Sequence, residues 1–246
     1  TTQAGTGQNP ESEPTRAVDQ PAAAAGHPAG PPERIGPYRI ESTLGTGGMG
    51  VVYLAQQEEP VQRPVALKVI RKAVDSDEVR RRFVFEQQVT ASLSHPNIAT
   101  VYDAGLTDDG CPFFAMEYVS GTPIVAFCDL HELTVRERVR LAIRVCGAVH
   151  HAHQKGIIHR DIKASNILVA DADTGPQPKV IDFGVALADA DRPPGGDRPV
   201  TRHPGMVGTL ETMSPEQLGA GSSSVDIRAD VYSLGVVLFE LVCGTQ

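Results

Sequence analysis

The strongest chemical signal in this sequence is the polar segment 159–166 (HRDIKASN), which is followed further along the chain by Asp182 in an Asp-Phe-Gly tripeptide. A carboxylate such as Asp161 accepts a hydrogen bond from a hydroxyl group, and a nearby lysine, Lys163, stabilises charge on a group in transfer. Asn166 and Asp182 present oxygen atoms, the ligands that Mg²⁺ prefers. Together these residues predict phosphoryl transfer from a magnesium-bound nucleotide to a hydroxyl group.

A glycine-rich segment earlier in the chain is a candidate cradle for the phosphates. Glycine lets the backbone turn tightly and bring amide hydrogens close to phosphate oxygens. Dinucleotide-binding folds share this pattern but continue directly into a helix, whereas the β-branched run 51–54 predicts a strand here. The segment comprises Gly45, Thr46, Gly47, Gly48, Met49 and Gly50.

Lys68 lies in the apolar run Val65-Ala66-Leu67-Lys68, which predicts a strand. A lysine inside an apolar strand is costly unless its charge is paired, and the alternative is an edge-strand lysine that faces solvent. Glu86, in the helix predicted to follow, is the candidate partner. This pair would direct Lys68 toward the phosphates.

These residues fall on a predicted α+β region that is followed by a mainly helical one. Short β-branched runs predict the strands, and Asp75 opens a helix that ends at His95-Pro96. After Gly121, apolar residues at helical spacing predict helices over Val135–Gln154 and 227–242. The predicted strands are 38–44, 51–56, 65–70, 100–104, 113–118, 167–169 and 179–181.

Composition and charge limit the class of protein. The 246 residues carry a net charge of −8, so the chain has no basic field for nucleic acid. The cysteines are scattered without a CxxC pair, and no apolar run is long enough to span a membrane. Both observations predict a cytoplasmic chain. A membrane anchor beyond Gln246 would be compatible with this prediction. Residues 1–36 are rich in Pro, Ala and Gly, which predicts a disordered tail ahead of a domain over 37–246.

The glycine-rich segment, Lys68, the HRDIKASN segment and Asp182-Phe183-Gly184 resemble the bacterial members of the eukaryotic-like Ser/Thr protein kinase family. The resemblance implies a two-lobed fold, with a five-stranded antiparallel sheet and one helix over about 37–119 and a mainly helical lobe over about 120–246. It implies ATP with Mg²⁺, or Mn²⁺ as a substitute, as cofactors. It also implies protein Ser/Thr hydroxyls as acceptors in bacterial signalling, and a homodimer that phosphorylates itself in trans.

The same resemblance assigns roles beyond the phosphate site. Lys163 lies two residues after Asp161, which matches the sequence pattern of Ser/Thr kinases rather than that of tyrosine kinases. The adenine pocket and hinge comprise Leu44, Val52, Ala66, Met116, Glu117, Val119 and Leu168. Thr209 would bridge Asp161 and Lys163, while a phosphorylated Thr201 would pair with Arg160. Because Leu187 stands where many relatives carry a cation, we expect only modest activation by that phosphate.

The resemblance is incomplete at its C-terminal end. Glu216, in Ser214-Pro215-Glu216, would pair with an arginine beyond Gln246, and a buried Glu216 without that partner would be costly. The apolar helix 227–242 would also lose part of its cover. We therefore expect these 246 residues to be unstable or poorly active on their own.

Other classes of protein remain as alternatives. A non-catalytic pseudokinase is disfavoured because Lys68, Asp161, Asn166 and Asp182 are all present. A small-molecule kinase of related fold is disfavoured by the Gly208-Thr209 and Ser214-Pro215-Glu216 segments, which in the family build a platform for a peptide. A metal site at His150, His151 and His153 lacks matching acidic or cysteine ligands, so structural histidines are the better interpretation. His159 resembles the structural histidine of the kinase family, which implies that it packs against Phe183 rather than acts as a base.

Overall fold

Short β-branched runs in the first half of the chain form strands, and longer amphipathic runs in the second half form helices. A computed structural model describes residues 1, 32–47, 50–70, 92–173, 175–183, 212–218 and 226–244. The elements are β1 (Arg34–Ile35), β2 (Tyr38–Thr46), β3 (Gly50–Gln57), β4 (Arg63–Ile70), β5 (Val101–Leu106), β6 (Pro112–Glu117), β7 (Thr122–Pro123), α1 (Ile124–Leu130), α2 (Val135–Gln154), a 3₁₀ turn (Ala164–Asn166), β8 (Ile167–Ala172), β9 (Gly175–Val180), α3 (Pro215–Leu218) and α4 (Ile227–Cys243). Most of the helix predicted from Asp75 lies outside the described residues; its predicted end, at 92–95, is described and is not helical.

The first six strands form one sheet in the order β1-β2-β3-β4-β6-β5, and every neighbouring pair is antiparallel. The five strands predicted for this region are confirmed, with ends that shift by one or two residues. The sequence does not predict β1, which pairs with β2 at the edge of the sheet and lies within the segment 1–36 expected to be a tail. Two residues are too short a pattern to indicate a strand.

The sheet packs apolar side chains on both of its faces, because successive strand residues point to opposite sides. On one face the rings of Tyr38 and Phe113 meet edge to face, with centroids 5.8 Å apart. The Tyr38 hydroxyl donates to Oδ2 of Asp103 at 2.8 Å, and burial and this carboxylate raise the pKa of Tyr38 far above its ordinary value. The other face carries a cluster of Ile70, Phe114 and Met116.

The two long helices begin with side-chain caps. Thr134 and Glu137 form a capping box at the start of α2, in which the Glu137 carboxylate accepts from the Thr134 N–H at 2.8 Å. The observed bounds of α2 agree with the predicted ones. Asp226 caps α4 by accepting from the Arg228 N–H at 2.8 Å, and α4 extends one residue beyond its predicted end.

Arg138, in the first turn of α2, contacts the C-terminal ends of α1 and α4, and its side chain is only 14% exposed. Its guanidinium donates to the carbonyl oxygens of Cys128 in α1 and Leu241 in α4, both at 3.3 Å, and pairs with Asp129 at 2.7 Å. A cation at the carbonyl end of a helix satisfies groups that have no partner within that helix. Arg138 therefore fixes α1 and α4 to α2.

A small second sheet, β7-β8-β9, lies after the first one in the chain. The predicted strand 179–181 is wrong in its bounds, since β9 covers Gly175–Val180 and Asp182 lies beyond its end. Pro176 and Pro178 make this stretch resemble a turn in sequence. They are tolerated because β9 is an edge strand, where a missing N–H need not break a ladder.

Helix α4 has one buried and one exposed face. Asp230 and Leu241 are buried, whereas the apolar side chains of Val231 and Phe239 are 59% and 65% exposed. Glu216 is exposed, so the expected penalty for burying it without a partner does not arise in this structure. Among the described residues, no helix combines the length and the apolar character needed to cross a bilayer.

Candidate active site

The glycine-rich segment forms the turn between β2 and β3. The Gly47 N–H donates to the carbonyl oxygen of Gly50 at 2.9 Å. A Cβ atom on Gly50 would lie 2.1 Å from the carbonyl oxygen of Val69 in β4, so no larger residue fits there. Gly45 and Thr46 end β2, while Gly48 and Met49 lie outside the described residues. The strand that follows the turn excludes the strand-to-helix arrangement of dinucleotide-binding folds.

Lys68 lies in β4, a central strand, between Val52 of β3 and Phe114 of β6. This position excludes the edge-strand alternative. Its side chain is 12% exposed, and its Nζ lies 2.9 Å from Oδ2 of Asp182. The charge is therefore paired, as a buried lysine requires, and the partner in this structure is Asp182. The predicted partner, Glu86, lies outside the described residues.

Two polar residues of the 159–166 loop, Lys163 and Asn166, converge on the carboxylate of Asp161. Nζ of Lys163 donates to Asp161 Oδ2 at 2.8 Å, and Nδ2 of Asn166 donates to the same oxygen at 3.1 Å and to the Asp161 carbonyl at 2.8 Å. Oδ1 of Asp161 is buried and accepts no hydrogen bond from the described residues. Because an unsatisfied buried carboxylate oxygen is costly, Oδ1 is a candidate acceptor for a hydroxyl from another molecule.

His159 joins the loop to the residues around Asp182. Its Nε2 donates to the carbonyl oxygen of Ile181 at 2.9 Å, and its Nδ1 accepts from the Asp161 N–H at 3.3 Å. The ring meets Phe183 edge to face, with centroids 4.6 Å apart, which is the contact expected from the sequence. With both nitrogens engaged, His159 positions the loop and is not placed to act as a base.

A buried carboxylate on α4, Asp230, holds the backbone of the same loop. Its Oδ2 accepts from the His159 N–H at 2.8 Å and lies 2.7 Å from Nε2 of His153, and its Oδ1 accepts from the Arg160 N–H at 2.8 Å. The Asp230 side chain is 0% exposed. Arg160 has a φ of +67°, a left-handed conformation that costs a non-glycine residue about 1–2 kcal/mol. The two amide hydrogen bonds offset this strain.

The residues predicted for the adenine pocket lie on strands of both sheets. Ala66 of β4 is opposite Met116 of β6, Val52 is in β3, and Leu168 is in β8. Met116 is 5% exposed. A cavity beside it is lined by Ala99, Val101, Phe114, Met116, Asp182 and Phe183. Leu44, in β2, is 47% exposed, Glu117 ends β6, and Val119 follows it.

Glu117, predicted as part of the hinge, also joins β6 to the second sheet. Its carboxylate lies 2.6 Å from Nζ of Lys179 in β9 and accepts from the Thr100 N–H at 3.3 Å. The Asn97 side chain donates to the carbonyl oxygen of Pro178 at 2.6 Å. Polar contacts from two segments therefore tie the six-stranded sheet to β9, the strand that leads to Asp182.

We expect the Lys179→Met and Glu117→Gln changes to be coupled by about 1 kcal/mol in the free energy of unfolding. Both side chains are at most one-quarter exposed, so solvent screens their pairing only in part. A double-mutant cycle measured by denaturant unfolding checks this. The matched control is the more exposed Asp226–Arg228 pair, which is expected to show a smaller coupling; equal couplings would contradict the prediction.

Several residues predicted to act at the site lie outside the described residues, and their roles stay predictions. They are Gly48, Met49, Glu86, Thr201 and Thr209. Arg160 is described, but its predicted phosphate partner Thr201 is not. Lys163 reaches Asp161 directly, so this contact does not depend on Thr209.

Sequence reasoning missed three residues that support the site, namely Asp230, Lys179 and Gln217. Asp230 had a detectable signal, because a carboxylate in the apolar helix α4 needs buried partners. Lys179 had none, and the capping pattern Ser214-Pro215-Glu216-Gln217 indicates only the contact of Gln217 with Ser214. Their partners are distant in the chain and become visible only in the folded structure.

The donor set fits a magnesium-bound nucleotide. Both hydrogen bonds of the Asn166 Nδ2 go to Asp161, which leaves its amide oxygen as the atom for a metal ion. Asp182 presents a carboxylate next to the Lys68 cation. Oxygen ligands beside a cation suit Mg²⁺ and phosphates together.

Comparisons with known proteins agree with this chemistry. A family model described as "Protein kinase domain" matches residues 38–246. The chain is 41% identical over 218 residues to the serine/threonine-protein kinase pkn3 of Myxococcus xanthus, covering 84% of this chain and 38% of that protein. It is 38% identical over 211 residues to the serine/threonine-protein kinase PrkC of Bacillus subtilis, covering 85% and 31%. The chain thus spans roughly a third of the length of these relatives.

Among solved structures, the chain is similar to the Mycobacterium tuberculosis PknI kinase domain. The TM-score is 0.63 at 32% sequence identity, and the match covers 86% of this chain and 76% of that one. The predicted fold class, an antiparallel sheet followed by a mainly helical lobe, is confirmed by this likeness and by the topology.

Proposed function

Because this chain belongs to the protein kinase domain family, we propose that it transfers the γ-phosphate of ATP to serine and threonine hydroxyls of proteins. The names of its relatives, which are serine/threonine-protein kinases at 38–41% identity, support this acceptor class. The position of Lys163, two residues after Asp161, also supports serine and threonine as acceptors, because it matches the Ser/Thr kinases rather than the tyrosine kinases.

The observation that carries the proposal is the unsatisfied Oδ1 of Asp161. A substrate hydroxyl that donates to Oδ1 would have its oxygen directed toward the phosphate and its proton next to a base. Lys163, which is bound to the other oxygen of the same carboxylate, would place a positive charge beside the group in transfer.

We propose ATP with Mg²⁺, or Mn²⁺ as a substitute, as the cofactors. The backbone amides of the β2–β3 turn would bind the phosphates, and Lys68 would pair with the α- and β-phosphates. The amide oxygen of Asn166 and the carboxylate of Asp182 would hold the metal ion, which when bound neutralises phosphate charge. Val52, Ala66 and Leu168 would enclose the adenine, next to Met116 and the hinge residues Glu117 and Val119.

The pseudokinase alternative is disfavoured by the geometry as well as by the residues. A pseudokinase transfers no phosphate, so no substrate hydroxyl would satisfy the carboxylate oxygen at this position. A buried oxygen without a partner would then only destabilise the fold. Here Asp161 keeps that oxygen, and the Lys68–Asp182 pair is formed. A catalytic site explains both the unsatisfied Asp161 oxygen and the Lys68–Asp182 pair.

We also propose the bounds of the domain, its location in the cell and its partners. We place the kinase domain over 37–246, after a tail at 1–36, and in the cytoplasm, where ATP is abundant. Its partners would be protein substrates and a second copy of the chain, which would phosphorylate Thr201 in trans. A phosphate on Thr201 would pair with Arg160 and order its segment.

Incubation of the full-length protein that contains this chain with γ-labelled ATP, Mg²⁺ and a Ser/Thr-rich acceptor protein tests the function. We expect label on phosphoserine and phosphothreonine, lost when the metal is chelated, with an Asp161→Asn variant as the background. Mass spectrometry of the same reaction, compared with a Thr201→Ala variant, reports on Thr201. Transfer no greater than that of the Asp161→Asn variant would end the kinase proposal, and an unmodified Thr201 would end the regulatory part.

A further inference from the structure

Gln217, in the short helix α3, connects that helix to the 159–166 loop through both ends of its side-chain amide. Its Oε1 accepts from the Ser214 N–H at 3.0 Å and from the Ser214 hydroxyl at 3.1 Å. Its Nε2 donates to the carbonyl oxygen of Arg160 at 2.8 Å. The contact with Ser214 needs an acceptor on the side chain of residue 217, whereas the contact with Arg160 needs a donor.

The contact with Ser214 has an ordinary structural explanation. Ser214-Pro215-Glu216-Gln217 matches a capping box, in which the third residue of a helix accepts from the N–H of its cap, and proline suits the first helical position. The Gln217 N–H also donates to the Ser214 carbonyl at 3.0 Å. A glutamate at position 217 would cap this helix equally well. The cap alone therefore does not require glutamine.

The contact with Arg160 acts on the peptide unit that carries Asp161. The carbonyl of Arg160 and the N–H of Asp161 belong to one planar unit. Gln217 holds the oxygen of this unit, and Nδ1 of His159 accepts from its N–H at 3.3 Å. Asp230 holds the N–H of the preceding unit. The backbone on the N-terminal side of Asp161 is thereby held at three atoms.

Helix α4 anchors both sides of this arrangement. Asp230 in α4 binds the 159–166 loop, and Ser233, one turn later, donates its hydroxyl to the carbonyl oxygen of Thr212 at 2.8 Å. Asp230 and Ser233 are 0% and 3% exposed. The segment that carries Gln217 and the loop that carries Asp161 are thus fixed to one buried helix, and Gln217 closes the connection between them.

We propose that Gln217 is a positioning residue for phosphoryl transfer, which sets the orientation of Asp161 by donating a hydrogen bond to the Arg160 carbonyl. This inference rests on the proposed kinase function. Among the common side chains, a glutamine offers an acceptor for Ser214 and a donor for Arg160 at this reach. A glutamate would offer two acceptors, and its carboxylate would repel the carbonyl oxygen.

The test compares Gln217→Glu and Gln217→Ala variants with the unmodified chain. Gln217→Glu keeps the cap and loses the donor, so we expect a melting temperature close to that of the unmodified chain but a kcat about tenfold lower, with KM for ATP unchanged. Gln217→Ala loses both contacts, and we expect a similar fall in kcat together with a lower melting temperature.

The pH profile separates positioning from a general structural role. A protonated carboxyl donates a hydrogen bond, so the kcat of the Gln217→Glu variant relative to the unmodified chain should rise as the pH falls from about 8 toward 5. The control is Gln154→Glu, an exposed glutamine at the end of α2, which should leave kcat unchanged at every pH.

Each outcome decides the question. A Gln217→Glu variant with undiminished kcat overturns the positioning role, and so does a reduced kcat whose ratio is independent of pH. These kinetics are measured on the full-length protein that contains this chain; if it transfers no phosphate with Gln217 unmodified, the kinase function itself fails and the positioning role fails with it. If it transfers phosphate and only the variant behaves otherwise than expected, the kinase function stands and the role of Gln217 falls.

Discussion

An Asp161→Asn variant is expected to lose about a thousandfold in kcat, with a change of less than about threefold in KM for ATP. The described contacts explain why an isosteric change is so damaging. Lys163 and Asn166 both donate to Oδ2 of Asp161, so the single oxygen of an asparagine would be drawn to that place. Its NH₂ group would then occupy the place of Oδ1 and present a donor to a hydroxyl that needs an acceptor.

Steady-state kinetics on the acceptor protein and on ATP measure both quantities. The matched control is Asp171→Asn, an exposed carboxylate near the end of β8, which should retain the activity of the unmodified chain. A kcat within about tenfold of the unmodified chain would show that Asp161 is not the base. Because KM for ATP should hardly change, a large rise in KM would point instead to a damaged nucleotide site.

An Asp230→Asn variant is expected to lose about 2 kcal/mol in the free energy of unfolding and to fall at least about tenfold in kcat. The two carboxylate oxygens accept from the N–H groups of His159 and Arg160. An asparagine has one oxygen, so whichever way its amide is turned, one buried N–H faces an NH₂ group. The left-handed backbone of Arg160 would lose support at the same time.

Denaturant unfolding and kinetics on the same preparations check this prediction. Asp226→Asn is the control, because it changes a carboxylate on the same helix at an exposed cap, where asparagine also serves. That variant should keep its kcat. If Asp230→Asn unfolds within about 0.5 kcal/mol of the unmodified chain, Asp230 does not hold the loop.

The chemistry of the site was largely predictable from sequence, because it depends on residue types that are close together in the chain. Asp161, Lys163 and Asn166 lie within one short loop, and in the structure Lys163 and Asn166 both donate to the Asp161 carboxylate. The strand after Gly50 was predictable from its β-branched residues, and so were the bounds of α2. The two-residue β1 and the proline-containing β9 were not, since neither carries a strand pattern of sufficient length.

The partner of Lys68 illustrates the limit of such reasoning. The sequence requires that the charge of Lys68 be paired, and this follows from its place in an apolar strand. Which carboxylate pairs with it depends on how the strands and the Asp182 segment meet. In the described structure Asp182 is that partner, at 2.9 Å.

The sequence by itself determined the proposed reaction, because a candidate base, a cation and candidate oxygen ligands for a metal ion are recognisable from residue types at short spacing. Only the tertiary structure decided what holds them. Asp230 and Gln217 reach the 159–166 loop from residues far along the chain, and Lys179 reaches Glu117 across two sheets. The carboxylate of Asp230 in an apolar helix indicates that it needs a buried partner, but the partners themselves follow from packing around that helix and between the sheets, which no local pattern of residues specifies.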